Sequence, residues 1–303
     1  MSTDIGKAYF HGLLYAFLAY ATVSIGDAFT KKALEIHDMI YVAFYSNLFI
    51  IVCLLALAPF KGGYKVLIKT KQKRLHALRG LIFLGVSLSF LYAISNLTIA
   101  KTYTLYLTQP FILVLLAHFF TKEYIGAHRI ASIIISFAGV LIVLRPGFVP
   151  LDLAAVSALL CALLFASGNI IVKFIDKNDY WMTFVFFIML VQTPLLGAYL
   201  IATGGFEPPF PVMEAVYWIA AGGVFYVFAL AYFPLALQRI DAAMFGAIEY
   251  TVIIWGTIFG YFLFSEVPDI WTIGGAAIIV ASGLYLVYRE RKANHVIKEL
   301  EGI

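Results

Sequence analysis

The chain has 303 residues, of which 63% are hydrophobic and only 13% charged, with a formal charge of +4. Soluble domains average about 45–50% apolar and about 25% charged residues, and disorder needs low hydrophobicity with high charge, so both classes are excluded. The basic residues are interrupted by apolar runs, which argues against nucleic-acid binding.

Long apolar stretches between short polar breaks predict ten membrane-spanning helices: 9–30, 39–60, 77–97, 102–120, 127–144, 151–173, 181–202, 214–236, 242–264 and 270–288. The first stretch is too long for a signal-peptide core and lacks a small-residue cleavage site, so it reads as an uncleaved span. Irregular backbone is not tolerated in lipid, so each run is expected to be one helix. Runs such as Ile133-Ile134-Ile135 lack the strict alternation of a β-barrel. Cys53 and Cys161 lie in separate apolar runs, so neither a disulfide framework nor a metal site is expected, and no cofactor is implied.

The loops then sort the charges. Seventeen of the 21 Lys and Arg residues fall on the side of the N-terminus and four on the other. Short loops rich in Lys and Arg face the cytoplasm, which predicts an integral membrane protein with both termini cytoplasmic, in a bacterial inner membrane. The basic loop Lys61–Arg79 is read as an orientation signal.

The two halves resemble each other. Gly26-Asp27 with Lys31 recurs as Gly168-Asn169 with Lys173. Ala93-Ile94 with Ala100 recurs as Ala236-Leu237 with Ala243. Glu123 recurs as Glu266, and Ala138-Gly139 with Arg145 as Ser282-Gly283 with Arg289. The offset stays near 143 residues throughout. Each copy holds five spans, so the second enters the membrane from the opposite side. The expected fold is therefore an all-α membrane protein of ten transmembrane helices, arranged as two inverted five-helix repeats. These are residues 1–147 and 148–290, followed by a cytoplasmic tail, 291–303. Inverted repeats are a transporter architecture, with the substrate site near the midplane between them and alternating access by rocking.

Several polar residues lie at membrane depth, where charge is costly and tends to mark function. Asp27 sits about one turn before Lys31, which suggests either an i,i+4 pair at the helix end or a gate. Its repeat mates Asn169 and Lys173 are candidates for the access path. Asn47 and Gln192 are mid-span candidates, Gln192 beside Pro194. Gln109 lies deep in the fourth span, followed by Pro110, which interrupts the backbone ladder. Glu249 is about eight residues, roughly 12 Å, from the end of the ninth span, with no basic residue on its helix. Such a carboxylate can bind a proton or a cationic substrate. The deeper aromatics are Tyr45, Tyr92, Tyr106, Tyr226, Tyr250 and Trp255. Of these Tyr45, Tyr106, Tyr250 and Trp255 join the candidate binding set, since aromatic walls suit rings and cations.

The order of these pieces is similar to the drug/metabolite transporter superfamily, of the EamA type. The resemblance rests on Phe44-Tyr45, Arg79-Gly80, Ala93 through Ala100, Pro110, Glu123, Gly139 and Arg145-Pro146 in the first half. In the second it rests on Tyr250, Trp255, Phe264-Ser265-Glu266-Val267-Pro268, Gly274 and Ser282-Gly283. It implies a ten-helix secondary transporter in a lipid bilayer and leaves substrate and direction open; the lone deep Glu249 points to a small organic metabolite such as an amino acid or S-adenosylmethionine. A proton or a counter-substrate would be its coupling partner, and it would act as a monomer or homodimer. Many relatives carry an arginine after the Phe-Tyr pair. Here that position is Ser46, which favours neutral or cationic substrates. The alternatives are a membrane enzyme or a channel. No nucleophile–base cluster, phosphate loop or filter repeat supports either.

Overall fold

A computed structural model describes residues 2–121, 127–145, 152–172, 174–176, 179–206, 210–237, 239–240, 245 and 248–301. The described residues form α-helices and short 3₁₀ turns, with no strand among them. The helices are α1 (Ser2–Leu34), α2 (Met39–Leu57), α3 (Lys73–Asn96), α4 (Ile99–Tyr106), α5 (Gln109–Thr121), α6 (Ala127–Leu144), α7 (Leu153–Val172), α8 (Trp181–Thr203), α9 (Met213–Leu237), α10 (Val252–Phe264) and α11 (Ile270–Glu301). Among the described residues, six helical stretches are long and apolar enough to cross a membrane: Tyr9–Leu34, Met39–Lys61, Lys73–Asn96, Ile99–Phe120, Leu153–Val172 and Trp181–Thr203. Shorter apolar helices cover 130–144, 213–229, 252–264 and 270–286. Large apolar side chains such as Phe10, Phe119, Phe137, Ile201 and Phe262 remain exposed on the outside, as suits a helix bundle embedded in lipid.

One feature departs from the sequence expectation. The fourth predicted span is not one helix. It breaks at Leu107-Thr108 between α4 and α5. Pro110 has no N–H to offer the carbonyl four residues back, so the ladder cannot run through. Thr108 repairs part of the gap, its hydroxyl donating to the Leu105 carbonyl at 2.8 Å. A matching turn occurs at Tyr250-Thr251, before α10. There the Thr251 hydroxyl donates to the Ile248 carbonyl at 2.7 Å. At the C-terminus, residues 291–301 continue α11 as helix. Pro194, by contrast, lies inside α8 without ending it.

The helices pair across the two halves. α1 packs on α9, α3 on α7 and α8, α2 on α8, and α6 on α11, while α4 lies between α7 and α10. Close approach is set by glycine where α6 crosses α11. A Cβ on Gly275 would stand 2.7 Å from the Gly139 carbonyl oxygen, so only hydrogen fits. Likewise Gly256 of α10 admits the Tyr103 ring.

Polar loops tie the halves on one face. Thr70 Oγ1 donates to Asp179 Oδ2 at 2.6 Å, and His76 Nε2 lies 2.9 Å from the same oxygen. The Asp176 N–H donates to Gln72 Oε1 at 2.6 Å, and the Thr183 hydroxyl to the Val66 carbonyl at 2.6 Å. The basic loop is therefore anchored by its neutral and histidine side chains.

Candidate functional site

The break in the fourth span aims a row of polar side chains inward. Tyr103 and Tyr106 end α4 and Gln109 begins α5, spaced three residues apart so that they follow one helix face. Opposite them, α1 contributes Asp27, only 5% exposed. The Tyr103 hydroxyl donates to Asp27 Oδ2 at 2.6 Å, and the Tyr226 hydroxyl of α9 donates to Oδ1. Thr30 Oγ1 lies 3.4 Å from the Tyr226 hydroxyl. The expected Asp27–Lys31 pair is not formed. The Lys31 ammonium is held instead by Glu266 and the Leu97 carbonyl. Glu249, just before the second break, receives one long contact among the described residues, 3.5 Å from Gln109 Nε2.

These groups surround a cavity of about 560 Å³. Asp27, Glu249, Gln109, Tyr106 and Asn169 all line it, with Tyr20, Phe90, Phe165 and Phe233 among its walls. A second lobe of about 320 Å³ adjoins it, lined by Ser46, Asn47, Ser87, Thr30 and Tyr226. Val23, Ser87, Phe90 and Phe233 belong to both lobes, which therefore share a wall. Each falls within the range of about 300–1,000 Å³ usual for small-molecule sites. Among the described lining residues there are two carboxylates and no basic side chain.

The other predicted site residues stand elsewhere. Gln192 is fully buried behind Asn47, whose amide nitrogen donates to Gln192 Oε1 at 3.1 Å. Tyr45 packs against Tyr41 and Phe44, at ring distances of 4.7 and 5.3 Å. Tyr250 reaches Gly283 of α11, where a Cβ would collide with its hydroxyl. Trp255 stacks on Phe259 and meets the edge of Phe17. None of these four lines either lobe. Lys173 lies outside the described residues, as does Glu123. Sequence reasoning passed over Tyr103, Tyr20 and Ser87. Tyr103 carried a signal, since it continues the Tyr106–Gln109 face by one more turn.

The EamA-like transporter family model matches the chain twice, over residues 10–145 and 152–289. The chain belongs to the EamA-like transporter family. It is a membrane-embedded metabolite transporter and not an enzyme. This EamA-family chain is 26% identical over 295 residues to a protein of Rickettsia prowazekii (strain Madrid E) named S-adenosylmethionine uptake transporter, covering 96% of this chain and 97% of that one. It is 24% identical over 275 residues to the riboflavin transporter of Brucella anthropi, covering 90% and 95%. A solved crystal structure with 18% identity superposes with a TM-score of 0.63, covering 94% of this chain and 97% of that one, and supports the fold alone.

Proposed function

We propose that the protein is a secondary transporter for a small, positively charged organic metabolite with a ring, of the S-adenosylmethionine kind, bound between the two halves. The observation that carries this reading is the pair of carboxylates, Asp27 and Glu249, on one aromatic-walled cavity without a described basic counter-charge. An anionic substrate would meet repulsion there. A cation gains Coulomb attraction in a poorly hydrated space and cation–π contact from the ring faces. Ser46 lines the smaller lobe at the position where many relatives place arginine, which leaves that lobe without a fixed positive charge. The names of the Rickettsia relatives support the same substrate class.

Alternating access is the proposed mechanism, in ten spans and two inverted repeats. The helix pairings support it. α1 on α9 corresponds to α7 on α3 when the halves are exchanged, and α2 on α8 and α6 on α11 correspond to themselves. The two breaks support it too, since Thr108–Leu105 and Thr251–Ile248 repeat one hydrogen bond at the repeat offset. Broken helices at a repeat interface are where transporters bind substrate. The bias of Lys and Arg toward one set of short loops supports cytoplasmic termini in a bacterial inner membrane.

Asp27 is the better-held carboxylate and orients the site. Glu249, whose one contact among the described residues is long, would exchange its partner between substrate and proton. The test is uptake of labelled S-adenosylmethionine into membrane vesicles, with and without a pH gradient, in wild type and Glu249→Gln. Saturable uptake lost or uncoupled from pH in the variant supports the reading. Wild-type uptake and pH response in the variant would sink it.

A further inference from the structure

The two lobes differ in chemistry. The larger carries the carboxylates. The smaller, between α2, α3, α8 and α9, has only neutral polar groups among its lining residues. Asn47 is its best-fixed member, 7% exposed. Its amide nitrogen donates to Gln192 Oε1 at 3.1 Å, and the Ser87 hydroxyl donates to the same oxygen at 3.3 Å. Gln192 is completely buried, so this bond sets the plane of the Asn47 amide. An amide offers two N–H donors and two lone pairs on its oxygen. One donor is used here, and among the described residues one N–H and the carbonyl are left over. Phe83, Phe90 and Phe233 add flat apolar walls to the same lobe.

We infer that the smaller lobe receives the neutral nitrogen heterocycle of the metabolite, with Asn47 pairing to a purine-like edge of adjacent acceptor and amino donor. An asparagine amide matches the N7 acceptor and exocyclic amino group of adenine with two simultaneous hydrogen bonds. Aromatic side chains stack on base faces. The shared wall places the ring beside the carboxylate lobe, so that one ligand spans both. The assignment draws on the proposed function for the cationic part of the ligand. The ring part rests on the geometry of Asn47, Gln192 and Ser87.

The test separates the two parts. Binding of labelled adenosine (a ring without charge) and of labelled tetramethylammonium (a charge without ring) is measured by equilibrium dialysis on the purified full-length protein in detergent. Asn47→Leu is expected to weaken adenosine binding about tenfold or more, the loss of a two-bond contact, and to leave tetramethylammonium unchanged. Glu249→Gln is expected to do the reverse. Ser46→Leu narrows the lobe without touching the Asn47–Gln192 bond. It is expected to lose adenosine alone, and it carries the test if Asn47→Leu does not fold. Absence of adenosine binding by the wild type overturns the assignment. So does wild-type adenosine affinity in the Leu variants, or equal loss of both ligands. Adenosine binding without tetramethylammonium binding sustains the ring lobe and overturns the cationic reading instead.

Discussion

Lys31 of α1 and Glu266, in the turn after α10, form an ion pair with only 9% and 15% of their side chains exposed. The Lys31 ammonium also donates to the Leu97 carbonyl at 2.6 Å, and the second Glu266 oxygen accepts from the Ile99 N–H at 2.9 Å. One pair therefore gathers the end of α1, the end of α3, the start of α4 and the turn beyond α10. The residues come from opposite halves of the chain.

Removing one partner of a buried pair strands the other charge, which costs about 3–5 kcal/mol. Glu266→Gln is expected to lower the unfolding midpoint in detergent sharply. Lys31→Met combined with Glu266→Gln removes both charges and is expected to recover much of the loss. A double variant no more stable than the single one would argue that the pair does not act as a unit.

Asp27 accepts from two tyrosines on different helices. Hydrogen bonds to a charged group contribute about 1.5–3 kcal/mol each. Tyr103→Phe and Tyr226→Phe are each expected to raise the Km for substrate and to reduce stability by an amount in this range. In an Asp27→Asn background the same changes should cost clearly less. A double-mutant cycle read by thermal unfolding checks this, and simple additivity would contradict it.

Pro110→Ala restores the N–H that the fourth span lacks, which favours a straighter helix through Leu107-Thr108. Folding stability is expected to be unchanged or slightly higher, while the maximal transport rate falls. Uptake kinetics together with melting curves distinguish this from general damage. A variant with wild-type rates would show that the break has no part in turnover.

Gly139 and Gly275 bring two backbones together where α6 crosses α11. Gly275→Val forces bulk against a carbonyl and is expected to cost at least about 1–3 kcal/mol, the usual penalty of overpacking. Gly274, on the same helix, has open space at its Cβ position. Gly274→Val should be tolerated, and equal destabilisation by the two would refute the crossing geometry.

The apolar runs announced the helices because lipid leaves a chain no other way to satisfy its backbone. The break in the fourth span was harder to read, since hydropathy is blind to a turn made of leucine and threonine. Pro110 was the only local sign of it. Gln109, Tyr106 and Glu249 were legible as polar or aromatic groups at depth, and the structure brings them onto one cavity. The partners of Asp27 were not legible, because Tyr103 and Tyr226 lie 76 and 199 residues away. Proximity along α1 suggested Lys31 instead. Tyr250 and Trp255 share the span of Glu249, but a helix has several faces, and theirs pack on neighbouring helices.

The last helix outruns the bilayer. At 32 residues α11 is roughly 48 Å long, against a hydrocarbon core of about 30 Å. A helical rod of that length is too long to lie wholly within such a core. A small rigid protein fused in helical register to that rod would turn with the transporter body, and would serve as an alignment marker for imaging.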